Sequence, residues 1–432
     1  MIPTGRFWVL LFAGAPLWIL APSWSWLLPL AGNTVLLTLG LADYLLIPAP
    51  NALLPRRETS RRWYRGKEDT IRLILHNPTS RQLRGVVREI HPPLWGNNLR
   101  HPFSLPPLGE SATVWRLKPE ERGEYQLRPV YLRLTGPLGL MTRQGQVPLT
   151  DRVQVYPRLP PARGRAALAA AFAGGKRYLP RQLPVGGEFM GMRDYVPGDD
   201  VRGINWKATA RRGRPLVNQF REEGQQHLLI ALDAGQMMLP RLREGGTRFD
   251  WAMEAALSLA QTALEFGDRV GCLVFADRVL GYLPPQRGAA GFSSLLEFAH
   301  HFQPVGVESD YAGAFSFLQS RHRRHSLLLL LTDLGEPGSS HRVLEQLSSL
   351  AGRHARLVVT VGDTALQELA ELPLHRPEDV YQRVWGGKLL REKETSLALL
   401  RAGGVAALDA PPTALNEAVL GKYLTWKRQG HF

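Results

Sequence analysis

The charged side chains that could do chemistry concentrate in one stretch, Gly186 to Arg212. It carries Glu188, Asp194, Asp199 and Asp200 against Arg193, Arg202, Lys207, Arg211 and Arg212. Carboxylates beside a lysine are raw material for general acid–base catalysis. The stretch contains no Ser, Cys or His, so it lacks a nucleophile and a proton shuttle, and alternating charges equally build ion-pair networks. Pro197-Gly198-Asp199-Asp200 reads as a turn whose carboxylates cap the following amides. Tyr195 and Trp206 are expected to bury part of the network. Two further carboxylates, Asp233 and Asp333, each end an apolar run. Their oxygens suit a hard cation such as Mg²⁺; alternatively they cap strand ends and accept hydrogen bonds from loop amides.

The remaining polar residues point to no catalytic site. The one cysteine, Cys272, excludes a disulfide scaffold and a four-cysteine metal site, and it lies inside an apolar run that favours core packing. His76, His91 and His101 lack metal-ligand spacing. His300 and His301 are adjacent and face apart, while His322 and His325 belong to a basic turn. No Gly-x-Gly-x-x-Gly follows the first apolar run of the C-terminal half, and no Gly-Lys-Ser/Thr occurs. No cofactor is expected, and no small-molecule substrate is identified.

The elements that must position these residues fall into five segments. Residues 227–432 alternate apolar strands (227–233, 269–275, 327–331, 355–361, 405–408) with helical spacing near 249–266, 291–302, 311–321, 340–352, 388–402 and 413–428. That alternation predicts a doubly wound α/β domain with its site at the strand C-termini. Residues 186–226 hold the charged stretch. Residues 157–185 form a basic linker, with a short helix expected over 166–173. Residues 58–156 show short alternating strands between Pro and Gly turns, which predicts a β-sandwich-like domain.

Residues 1–48 are read as a transmembrane helical hairpin. No charged residue occurs from Phe7 to Ala42. One straight helix over that run would extend about 54 Å, against a hydrocarbon core of about 30 Å. Two passes, near 7–21 and 26–47, fit better, with a turn at Ala21-Pro22-Ser23-Trp24-Ser25-Trp26. A single tilted helix is the alternative. A cleaved signal peptide is disfavoured because the apolar run continues too far. Basic flanks at Arg6 and at 56–67 place both ends in the cytoplasm by the positive-inside rule, so a bacterial inner-membrane, multi-pass protein with its bulk in the cytoplasm is expected.

The charge has an uneven distribution. The chain of 432 residues has 53 Lys+Arg against 38 Asp+Glu, a net charge of +15. Residues 56–67 hold six basic residues and one acid, and residues 158–221 thirteen basic and four acidic. These two stretches account for nearly all of the excess. The first is expected to meet anionic headgroups, and the second to serve an ion-pair network or an acidic partner. A diffuse nucleic-acid field is not indicated.

The charged stretch resembles the signature of the bacterial family called domain of unknown function 58. The matching residues are Glu188, Phe189, Gly191, Arg193, Tyr195, Pro197, Gly198, Asp199, Asp200, Arg202, Ile204, Trp206, Lys207, Ala210 and Arg211, with Asn205 standing where that family usually has Asp. The resemblance implies a von Willebrand factor A-like C-terminal domain. Such domains bind Mg²⁺ through Asp-x-Ser-x-Ser after the first strand, a later Thr, and an Asp after the fourth strand. Here Asp233 and Asp333 match the two carboxylates, Gly235 and Met237 replace both serines, and the Thr position falls near Glu308-Ser309-Asp310. The resemblance further implies a MoxR-type AAA+ ATPase as partner. The expected function is therefore that of a membrane-anchored adaptor, not an enzyme, working in a chaperone-like or assembly role. The alternatives are a membrane-associated enzyme using the acidic stretch and, further off, a nucleic-acid binder.

Overall fold

The computed structural model describes residues 2–13, 27–89, 95, 100–159, 189–196, 204–220, 226–335, 338–350, 352 and 354–429. The chain divides into two compact units, Met1–Arg158 and Leu159–Phe432. The linker helix expected over 166–173 lies outside the described residues.

The first unit is β-rich. Its strands are β1 (Ile2–Pro3), β2 (Arg56–Thr59), β3 (Arg62–Tyr64), β4 (Asp69–His76), β5 (Leu83–Arg88), β6 (Arg100–Leu105), β7 (Glu110–Leu117), β8 (Gly123–Gln126), β9 (Val130–Thr135), β10 (Met141–Val147) and β11 (Arg152–Tyr156). They form sheets ordered β1-β10-β9-β5-β6, β2-β4-β7 and β3-β11-β8. In β4, Ile71, Leu73 and Leu75 point inward while Thr70 and Arg72 face solvent, the period of two that one buried sheet face requires. These residues share one core with Trp63, Trp115, Leu132 and Leu134. A buried polar pin crosses it: Arg57 lies 2.8 Å from Glu89 and 2.9 Å from Asp151.

The N-terminal residues do not form the expected transmembrane hairpin. Among the described residues, no helix is long and apolar enough to cross a membrane. Helix α1 (Gly5–Ala13) has 9 residues, about 14 Å of the roughly 30 Å required. Helix α2 (Leu27–Leu45) has 19 residues but includes Pro29, Asn33, Thr34, Thr38 and Asp43. Its C-terminal end is committed to the β-rich unit. Asp43 is 0% exposed and accepts hydrogen bonds from the amides of Leu138 (2.7 Å), Leu140 (2.9 Å) and Met141 (2.9 Å). Gly136 makes that approach possible, since a Cβ there would sit 2.4 Å from the Asp43 carboxyl. Phe7 is buried and β1 pairs with β10. The expected turn at 21–26 lies outside the described residues.

In the second unit, β12 (Phe189–Asp194) pairs antiparallel with β13 (Leu216–Phe220), and helix α3 (Trp206–Arg212) lies between them in sequence. A six-stranded sheet follows, built from β14 (His227–Asp233), β15 (Arg269–Phe275), β16 (Val279–Gln286), β17 (Ser326–Leu331), β18 (His354–Val361) and β19 (Ala406–Ala410). Its order is β16-β15-β14-β17-β18-β19. All pairs are parallel except β15–β16. The helices are α4 (Arg248–Glu265), α5 (Gly288–His300), α6 (Tyr311–Arg321), α7 (Ser339–Ser348), α8 (Thr364–Ala370), α9 (Pro377–Ala402) and α10 (Pro412–Gln429). Leu228, Ile230 and Leu232 pack toward α4, α5 and α10. Leu229 and Ala231, one residue out of phase, pack toward α6, α7 and α9. The sheet is covered on both faces, as its continuous apolar strands demand. The strand order reverses between β14 and β17, which puts a crevice at their C-terminal ends.

Candidate functional site at the switch point

Asp233 and Asp333 end β14 and follow β17, on either side of this reversal. Asp233 is 1% exposed, and both its oxygens are engaged. Oδ1 accepts from the Gly235 amide (2.8 Å) and the Ser309 hydroxyl (2.5 Å). Oδ2 accepts from Tyr311 Oη (3.0 Å) and Thr332 Oγ1 (2.5 Å). The Tyr311 and Thr332 hydroxyls are themselves 2.9 Å apart. Burial pushes the Tyr311 phenol well above its ordinary range, and the Asp233 charge adds to that. Tyr311 is therefore a hydrogen-bond donor, not a base.

Gly235 explains how Ser309 gets there. A Cβ at position 235 would lie 2.0 Å from Ser309 Oγ. The serine hydroxyl thus fills the space a side chain at 235 would occupy. The hydroxyl missing from the Asp-Ala-Gly-Gln-Met sequence reaches the carboxylate from another loop.

Asp333 is 3% exposed and has a different neighbourhood. Alternation along the strand sends Thr332 toward Asp233 and Asp333 elsewhere. Arg248 Nη1 lies 2.6 Å from Asp333 Oδ2, and its Nη2 lies 3.0 Å from Asp363 Oδ2. Arg248 Nη1 also donates to the Met237 carbonyl at 3.4 Å. Burial pushes the Asp333 carboxyl up, while Lys393 and Arg248 oppose the shift. Lys393, nearly buried, pairs with Asp409 at 2.8 Å and donates to the Val361 carbonyl at 3.0 Å. Arg248 occupies the first turn of α4, where a cation opposes the helix dipole. Asp333 and Asp363 offset that cost.

Among the described residues, no group of three or more His, Cys, Asp or Glu is arranged to hold a metal ion. A divalent cation between the two carboxylates would have to displace hydroxyl and amide donors from Asp233 and share Asp333 with a guanidinium. The residues present do not fit Mg²⁺ as they stand. Cys272 is buried and burial pushes its thiol up, so it is no nucleophile.

The described signature residues belong to β12, the loop after it and α3. Phe189, Gly191 and Arg193 lie on β12. The Tyr195 amide donates to the Pro215 carbonyl at 2.9 Å. Trp206, expected to bury part of the charge network, is 67% exposed, and Lys207 and Arg211 are exposed. Asp194 pairs with Arg214 at 2.9 Å, a partner outside the expected set. Glu188, Pro197, Gly198, Asp199, Asp200 and Arg202 lie outside the described residues. Asn205 has a clear role. Its side chain accepts from the Ala208 amide at 3.1 Å as the N-cap of α3, a position where Asn and Asp serve about equally.

The structure also assembles residues that the spacing did not single out, namely Arg248, Tyr311, Asp363 and Lys393. Arg248 carried one signal, a cation directly behind the Thr247 cap, on the wrong side of a helix dipole.

A doubly wound α/β unit with two separately engaged buried carboxylates at its switch point is thus the class of domain at hand. Residues 191–383 match the family model described as Protein of unknown function DUF58. Over 186 residues the chain is 27% identical to Uncharacterized protein Rv1480 of Mycobacterium tuberculosis and to Uncharacterized protein Mb1516 of Mycobacterium bovis, covering 42% of this chain. The chain spans 56% of the length of these relatives. A solved structure, an uncharacterized membrane spanning protein from Vibrio fischeri, aligns over 47% of this chain and 99% of its own at 13% identity and a TM-score of 0.17. That likeness carries no argument about this chain.

Proposed function

We propose that this chain is an interaction protein that rests on a membrane surface and offers the switch-point site of its α/β unit to a protein partner. The observation that carries the reading is the Asp233 cluster. A buried carboxylate held by four donors ties the loops after β14 and β17 to Ser309 and Tyr311 and fixes them at the strand ends. Loops held in one arrangement offer a preformed surface for docking, and the adaptor reading rests on that surface together with the family resemblance. A MoxR-type AAA+ ATPase is the partner class, on the family resemblance carried by the signature and the α/β unit, in a chaperone-like or assembly role at the bacterial inner membrane. Membrane attachment is supported by the exposed apolar side chains of α1 and α2, among them Val9, Phe12, Val35, Leu37 and Leu45, which would lie in the lipid interface without spanning it.

Flotation of anionic vesicles with the full chain and a MoxR-type ATPase from the same organism tests both parts. The chain should float and carry the ATPase with it. Asp233→Ala should float but bind the ATPase at least about tenfold more weakly, about 1.4 kcal/mol. A chain that stays at the bottom sinks the membrane reading. A chain that floats without the ATPase sinks the partner.

A further inference from the structure

Three loops follow the adjacent parallel strands β14, β17 and β18, and one side chain touches all of them. Arg248 reaches the Met237 carbonyl after β14, Asp333 after β17 and Asp363 after β18. Those three contacts are oxygen atoms, two of them on carboxylates. Oxygens of this kind, converging from separate loops, are what a hard divalent cation collects. Here a guanidinium collects them. It presents five donors in a planar fork and keeps its charge at every accessible pH.

The second carboxylate is equally complete. Asp233 takes the Ser309 hydroxyl in the space left open at Gly235, and it takes Tyr311 and Thr332 on its other oxygen. Neither carboxylate presents a free oxygen pair toward a common point.

We infer that Arg248 holds the place a divalent cation would otherwise take among these three loops, so that the switch-point site is complete without metal. The site is the one assigned above to partner docking, but the inference is read by metal titration alone and stands or falls separately. It also implies a latent cation site. Removing the guanidinium leaves Asp333, Asp363 and the Met237 carbonyl without their shared counter-charge, with Lys393 alone still acting on Asp333, a set of hard oxygens suited to Mn²⁺ or Mg²⁺.

Isothermal titration of the full chain with MnCl₂ and with MgCl₂ should give no saturable binding into the millimolar range, and EDTA should leave its thermal midpoint unchanged. Arg248→Met should lower the midpoint by about 5 °C or more, and millimolar MnCl₂ should recover part of that drop. Arg248→Lys keeps the charge and should show no such recovery. If Arg248→Met does not fold alone, refolding it with and without MnCl₂ gives the same readout as recovered folded protein. Saturable submillimolar binding by the wild type, lost in Asp333→Asn, would overturn the inference. So would an Arg248→Met protein that MnCl₂ neither stabilises nor helps to refold.

Discussion

At Gly235, a side chain is excluded by a functional group, not by backbone strain. The Ser309 hydroxyl lies 2.0 Å from where a Cβ would be built, and that hydroxyl bonds the Asp233 carboxylate at 2.5 Å. Gly235→Ala must therefore push Ser309 away and leave Asp233 one donor short. Charged hydrogen bonds of this kind contribute about 1.5–3 kcal/mol, so urea unfolding should show a loss in that range. In a Ser309→Ala background the hydroxyl is already gone, and the same substitution should cost less, with the approach to the Val307 carbonyl (2.9 Å) remaining. Equal costs in both backgrounds would mean that the clash is not with this hydroxyl.

At the scale of the element, the contrast between strands and N-terminal helices shows what pattern alone reveals. Strands 227–233 and 269–275 coincide with β14 and β15, because a buried parallel strand is apolar at every position. Asp233 and Asp333 were legible for the same reason, as the charges that end such runs. Strand β16 was not anticipated: Pro284 and Pro285 interrupt its pattern, and they are tolerated because it is an edge strand. Helical spacing in the sequence is expected only near 388–402, whereas α9 starts at Pro377 and runs through Gly386 and Gly387, with Gly386 packed against the backbone around Ala370. Arg248, Tyr311 and Lys393 come to the site from three different helices, and no local period encodes that meeting. The N-terminal run shows the opposite case, since its described apolar residues divide between the β-rich core and the surface. Asp43 decides between the readings. Its carboxylate satisfies three backbone amides at 0% exposure. Asp43→Ala strands those amides, and a loss of about 3–5 kcal/mol is expected. Limited proteolysis should show α2 cut first in this variant. Undiminished protection of 27–45 would show that the apolar contacts of α2, not Asp43, hold it.

For the whole molecule, the +15 charge is less available than its position suggests. Arg57 and Arg65, within the basic stretch assigned to headgroups, are buried, and Arg57 is spent on Glu89 and Asp151. That internal use of charge gives the two units opposite responses to pH. In the first unit, burial holds the Glu89 carboxyl up at about 7, above the 4.5 of an unstrained glutamate, with Arg57 opposing the shift. A raised folded value means stability fully present below about 4.5 and lost as pH rises through about 7. In the second unit, burial holds the His227 ring down at about 4, with His322, Arg324 and Arg269 adding to it, against 6.5 when free. Stability from His227 is fully present above 6.5 and is lost as pH falls through about 4. Between pH 5 and pH 7 the β-rich unit should weaken while the α/β unit strengthens. Hydrogen exchange at the two values, corrected for the intrinsic exchange rate, reads each unit separately through peptides from β4–β7 and from β14–β17. Glu89→Gln should flatten the first response and His227→Gln should reduce the second, to which the His322 ring, also held down by burial, adds, each leaving the other unit unchanged. If the two units gain and lose protection together across this range, neither buried group controls its own unit.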